Sequence, residues 1–137
     1  KHTVLRIGNI YSNNEIKKWS RSNTSLFQKW LNASRKRKIM KTNSFNTLRD
    51  WTFVKDISIA LHNIIKKGNK FKILNLVSPF ITKDIDLMRL IDSKAKHIEI
   101  EGSNLLNNST LTIYRNKLSF KSWTSPTKVI NLIKKNI

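Results

Sequence analysis

Three sets of residues in this sequence have side chains suited to catalysis or metal binding, and none of the sets is complete. His2, His62 and His97 could ligate a metal or carry a proton, but they lie too far apart for ligand spacing and read as surface or packing residues. Tyr114 and Lys117 form Y-x-x-K, one residue short of the Y-x-x-x-K of a Tyr/Lys acid–base pair, and Tyr114 ends a strand-like run. Gly8, Gly68 and Gly102 are the only glycines, so no Gly-rich loop can cradle a phosphate. No catalytic residue and no metal ligand is therefore assigned within the chain.

A fourth stretch, RDWTFVKDISIAL from Arg49 to Leu61, is harder to explain by packing alone. Trp51, Phe53 and Val54 read as core. Arg49 and Asp50 read as a turn-like lead-in, where the plain expectation is a surface pair between the two. Asp56 falls near the start of an amphipathic helix, where a carboxylate is favoured by the helix dipole, so a capping role is expected.

Composition narrows the classes. A chain of 137 residues with 39% hydrophobic content fits one domain, expected to bury about two-thirds of its unfolded surface. The absence of cysteine excludes disulfides and thiolate metal sites and suits a reducing compartment, so a cytoplasmic location is expected. No window approaches the roughly 18 apolar residues of a membrane span. The chain begins at Lys1 with no signal-peptide pattern, so it is expected to be processed or a piece of something longer. The net charge of +19 points toward nucleic acid, yet 20 of the 27 basic residues are Lys, beside 16 Asn and 18 Ile. Those three residues share A/T-rich codons, and only Arg35-Lys36-Arg37-Lys38 forms a run. Without zinc-finger spacing or an RNP-type aromatic motif, nucleic-acid binding is not expected.

Strands and helices alternate. The run 3–11 reads as a strand breaking at Gly8-Asn9. Helical spacing starts at Ser25, with Thr24 or Ser25 as N-cap, and a strand is expected at 38–41. A second helix is expected over 54–67, burying Ile57, Ala60, Leu61, Ile64 and Ile65, with Gly68 at C′. Residues 71–78 lose strict alternation, as a strand covered on both faces does. Thr82 is expected to open a third helix, followed by a strand at HIEIE and another at LTIY. The last helix starts with Ser125 as N-cap and Pro126 at N1. This order predicts an α/β fold.

Four segments resemble motifs of the extended short-chain dehydrogenase/reductase family, the NAD-dependent nucleotide-sugar epimerases and dehydratases. RDWTFVKDISIAL is similar to the family's R-D-[WFY]-[TIL]-[YFH]-V-x-D-[IVL]-A-x-A. VLRIGNIYS resembles its L-R-x-x-N-V-Y-G strand, and ILNLVS its [FY]-N-[IVL]-[GA] strand. KLSFKSWTSPTKVINLI resembles the closing K-x-x-x-L-G-W-x-P segment. They occur in the family's order and span nearly the whole chain. The chain departs from the pattern at Ser12, Ser25 and Ser122, and no second substrate arginine stands around 111–114.

The resemblance implies the C-terminal part of a Rossmann-like parallel sheet (about 1–12 and 71–78) interleaved with a small α/β substrate-binding lobe (about 13–70 and 79–137). It implies that the Gly-rich loop and the Tyr/Lys pair lie upstream, and that NAD or NADP is bound mainly by that missing N-terminal half. Arg49 resembles the arginine that binds the substrate diphosphate, and a guanidinium fork matches phosphate oxygens in pairs. Asn9 resembles the asparagine bonded near the sugar and diphosphate. Ser25 and Leu26 align with an Asn-Leu pair at the nucleotide, and residues 39–41 with the strand lining the base pocket. Asn75 is left between touching substrate and satisfying buried backbone. Trp123 and Pro126 are expected to pack the last helix onto the substrate lobe. The implied partners are a nucleotide-sugar, the missing half and a second copy in a homodimer, with no membrane and no nucleic acid. The implied activity is an isomerase or lyase step of carbohydrate biosynthesis. Two other classes stay open: a non-catalytic nucleotide- or protein-binding member of the same fold, and a basic nucleic-acid module.

Overall fold

Residues 2–16, 19, 23–67, 72–100 and 122–135 are described by the structure, a computed structural model. Gly68, Gly102, the LTIY segment, Tyr114 and Lys117 lie outside them. The apolar run near the start is two strands, β1 (Val4–Ile7) and β2 (Asn9–Tyr11), separated at Gly8. They join different sheets. β1 pairs in parallel with β5 (Ile73–Leu76), with Val4 opposite Ile73 and Ile7 opposite Leu76. β2 pairs in parallel with β4 (Leu48–Phe53), which pairs antiparallel with β6 (Ile81–Lys83). A third parallel pair joins β3 (Met40–Thr42) to β7 (His97–Glu99). Parallel neighbours need a crossover, and α1 (Leu26–Arg35), α2 (Val54–Lys67) and α3 (Asp84–Ile91) lie on these connections. The last described element is α4 (Pro126–Lys135).

The helix starts follow from local chemistry. Ser25 caps α1, its Oγ accepting the Gln28 N–H at 3.2 Å. Ser125 does the same for α4 toward Lys128 N at 3.3 Å. The second helix spans the expected residues, but Ile65 is 82% exposed, while Ile57 and Ala60 are buried. Ile65 lies one step round the helix from Ile64, beyond the face that meets Leu76 and Trp123.

Two other starts differ from expectation, and tertiary pairing explains both. Thr82 does not open a helix, because residues 81–83 are drawn into β6 against Leu48, Arg49 and Asp50. The third helix begins at Asp84, and its first N–H groups are satisfied from another loop: Asp84 N donates to Thr47 O and Ile85 N to Phe45 O. The strand expected at 38–41 is shifted to Met40–Thr42. Arg37 N donates to Ser34 O and Lys38 N to Ala33 O, so these two residues close α1 in a Schellman turn before the strand can start.

The main core joins α1, α3 and α4 to β2, β3 and β4. Phe27, Trp30, Met40, Leu87, Met88 and Ile130 are fully buried there, and Tyr11 packs edge-on to Phe27 with ring centroids 4.8 Å apart. A smaller cluster of Ile57, Ala60 and Leu76 takes in Trp123, so Trp123 packs on α2 and β5. Trp51 is buried and Phe53 half-buried as expected, but Val54 is 39% exposed at the rim of a cleft. No helix among the described residues is long and apolar enough to cross a membrane.

Candidate functional site

Asn9 and Arg49 sit on adjacent parallel strands, each held by a buried carboxylate. Asn9 lies opposite Trp51 in the β2–β4 pair, two positions along from Arg49. The Asn9 backbone N–H and its Nδ2 both donate to Asp50 Oδ1, at 3.2 and 3.0 Å. Asp50 is fully buried. A strand alternates its side chains between faces, so Asp50 points to Asn9 while Arg49 points the other way. Arg49 Nε donates to Asp84 Oδ1 at 3.0 Å, and Thr42 Oγ1 donates to Asp84 Oδ2 at 2.8 Å. Arg49 is thus a strand residue paired with Asp84, and the expected turn pairing with Asp50 is not formed. Its terminal nitrogens make no hydrogen bond among the described residues, and its side chain is 20% exposed. Burial pushes the Asp84 carboxyl above its ordinary range, against the hydrogen bond and charge of Arg49 and the Thr42 hydroxyl.

Gly8 makes the Asp50 arrangement sterically feasible. A Cβ there would lie 2.8 Å from Asp50 Oδ1 and 2.9 Å from Val77 Cγ1. The bare backbone therefore packs protein against protein and offers no cradle for a dinucleotide pyrophosphate.

Ser25 lines a cleft of about 550 Å³, whose walls also include Gly8, Tyr11, Asn14, Glu15 and Val54. Asn9, Leu26, Arg49 and Asn75 are not among its lining residues. Glu15 pins the loop wall, its carboxylate accepting the Ser25 N–H at 2.9 and 3.1 Å while its own N–H donates to Gln28 Oε1 at 3.3 Å. The Ser25 hydroxyl accepts one bond as a cap and keeps its proton to donate. Leu26 is half-buried against the main core. Of residues 39–41, Met40 is buried in that core and Ile39 faces a different hollow.

Asn75 is buried, and its Oδ1 has no hydrogen-bond partner among the described residues, as is true of Tyr11 OH and Trp51 Nε1. Burial, and then the Asp56 carboxylate, push the Tyr11 phenol far above its ordinary value. Asp56 stands in the first turn of α2, but its carboxylate reaches across the fold: Thr124 N donates to Oδ2 at 2.6 Å and Thr124 Oγ1 to Oδ1 at 2.8 Å. The histidines form no metal cluster among the described residues. Sequence reasoning missed Thr42, Glu15 and the buried role of Asp84. Only Asp84 carried a signal, as an acid at a helix start, which has a local explanation.

No protein-family model and no curated protein matches the sequence. Solved structures do. One is an NAD-dependent NDP-hexosamine 5,6-dehydratase of tunicamycin biosynthesis, with TM-score 0.68 and 14% identity over 97% of this chain and 44% of that one. Another is L-threonine 3-dehydrogenase from Trypanosoma brucei, with TM-score 0.68 and 10% identity over 98% of this chain and 46% of its own. A third is UDP-glucose 4-epimerase from Thermotoga maritima with UDP-glucose, with TM-score 0.65, 17% identity and the same coverage, 98% and 46%. The chain spans less than half the length of each. It has the Rossmann-like α/β fold that this dehydratase, dehydrogenase and epimerase share over that part of their length.

Proposed function

We propose that the chain is the substrate-binding half of an NAD(P)-dependent nucleotide-sugar epimerase or dehydratase. Residues 1–12 and 71–78 would supply the last strands of the cofactor-binding sheet, and 13–70 and 79–137 the substrate lobe. The observation that carries this reading is the Arg49 guanidinium, fixed through Nε by the buried Asp84 carboxylate while its terminal nitrogens make no hydrogen bond among the described residues. In open α/β sheets, ligands bind beyond the carboxyl ends of parallel strands, and Asn9 stands two residues past Ile7, the last residue of β1. Arg49 holds the diphosphate through its terminal nitrogens, and Asn9 bonds near the sugar. Ser25 donates its hydroxyl proton toward the nucleotide, Leu26 packs beside it, and Asn75 offers its buried Oδ1. The missing half holds NAD or NADP and the Tyr/Lys pair. Exposed Val4 and Ile7 on β1, beside exposed Ile73, support further elements covering that sheet.

The L-threonine 3-dehydrogenase with the same fold means that fold alone does not choose the substrate. Arg49 does. Calorimetric titration of UDP into the chain tests the reading. Arg49→Ala, combined with Asp84→Asn to avoid a lone buried carboxylate, should weaken binding by about 1.5–3 kcal/mol, the range for charge-assisted bonds. Unchanged affinity overturns the diphosphate role.

A further inference from the structure

At the opposite end of α1 from Ser25, a second hollow of about 420 Å³ is lined by Arg37, Lys38, Lys94 and Lys96, with Asp92 as its one carboxylate. Ile39 and Ala95 give it apolar surface. The four cations come from segments more than fifty positions apart in the chain. The β3–β7 pairing brings them together, since Met40 opposite His97 places residues 38–39 against 95–96. None of the four makes an ion pair among the described residues.

Asp92 forms no ion pair with any of the four, because its oxygens take hydrogen bonds from other groups. Oδ2 accepts from Ser34 Oγ at 3.0 Å, and Oδ1 accepts the N–H groups of Lys94 and Ala95 at 3.0 and 3.2 Å. The bland explanation of the cations is the helix dipole, since α1 and α3 both end here. Two helix ends contribute about −0.5 each, so four cations and one carboxylate still leave roughly two uncompensated positive charges. Arg37 adds a second sign. It occupies the C′ position of the α1 Schellman turn at φ 51°, where glycine is the residue without strain.

We propose that this hollow binds a small oligophosphate, with Arg37 gripping one phosphate by its planar fork and Lys38, Lys94 and Lys96 acting as point charges. Ile39 and Ala95 lower the local dielectric and strengthen the attraction. This site is separate from the diphosphate position at Arg49.

The test is calorimetric titration of inorganic tripolyphosphate into the full chain at physiological salt. Lys94→Gln with Lys96→Gln should weaken binding about tenfold, while Lys55→Gln with Lys66→Gln, the same charge change on α2, should leave it within about twofold. Arg37→Gly keeps the turn and relieves its strain, so it should preserve the melting temperature and still weaken binding. Equal weakening by the α2 pair would reduce the effect to net charge and overturn the site. So would absence of binding to the unmodified chain, or loss of binding only when Arg49→Ala is combined with Asp84→Asn. A single-stranded oligonucleotide that binds tighter than tripolyphosphate would assign the hollow to phosphodiester backbone and overturn the small-ligand assignment.

Discussion

Arg49 Nε and Asp84 Oδ1 meet at 3.0 Å, joining β4 to the N-terminus of α3. The carboxylate is fully buried and the guanidinium is not. That asymmetry decides what each partner contributes: Asp84 orients, and Arg49 keeps its outer nitrogens for another anion.

Removing Arg49 alone should therefore destabilise the fold, and in a pH-dependent way. Breaking a fully buried pair costs about 3–5 kcal/mol. With the Arg49 side chain 20% exposed, a loss of about 2–3 kcal/mol is expected. The sign follows from the Asp84 carboxyl, whose folded pKa is already raised by burial and rises further without Arg49. Such a group favours the folded state below its unfolded pKa, and that contribution is lost as pH rises through the folded value. Urea unfolding of Arg49→Ala should show a larger deficit at neutral pH than near pH 4. Equal deficits would mean that Arg49 does not influence the folded-state titration of Asp84.

Gly8→Ala should disturb Asn9 through Asp50. The new methyl would fall 2.8 Å from Asp50 Oδ1 and 2.9 Å from Val77, both in tightly packed surroundings. Overpacking of this kind costs about 1–3 kcal/mol. Thermal unfolding should report the loss, and the Asn9 amide resonance should shift in an NMR spectrum. An unperturbed Asn9 would show that Asp50 can move aside.

The Asp56–Thr124 contact ties the segment before α4 to the start of α2. Thr124→Val removes the hydroxyl bond of 2.8 Å but keeps the backbone one. A hydrogen bond to a charged group contributes about 1.5–3 kcal/mol, so chemical denaturation should show a loss in that range. No measurable change would mean that the backbone bond carries the contact alone.

Asp92 gives an opposite acid dependence from Asp84. Partial burial works to raise its pKa, but hydrogen bonds from Ser34, Lys94 and Ala95 and the charge of His97 outweigh it and hold the carboxyl below 3.8. A depressed pKa contributes stability above the unfolded value, lost as pH falls through the folded one. Stability measured from pH 5 downward should therefore lose a component below about 3.8 that is missing in Asp92→Asn. Parallel curves for the two proteins would remove Asp92 from the acid transition.

Much of the local structure was legible from residue types. Ser25 and Ser125 cap because a hydroxyl before a helical run can accept an orphan N–H, and that depends on neighbours three residues away. The run 54–67 is a helix for the same local reasons, and the break at Gly8 was visible as punctuation. The four motifs pointed to the α/β fold that solved structures share. The tertiary structure decided matters of partnership. Thr82 reads as a helix start until β4 recruits it into a strand, because ladder bonds outweigh a weak cap preference. Asp84 reads as a dipole-favoured acid until Arg49, thirty-five positions away, arrives from another strand. The basic residues look scattered along the chain, and only the β3–β7 register gathers four of them around one hollow. Capping and periodicity act over a few residues, whereas charge pairing and burial act through space.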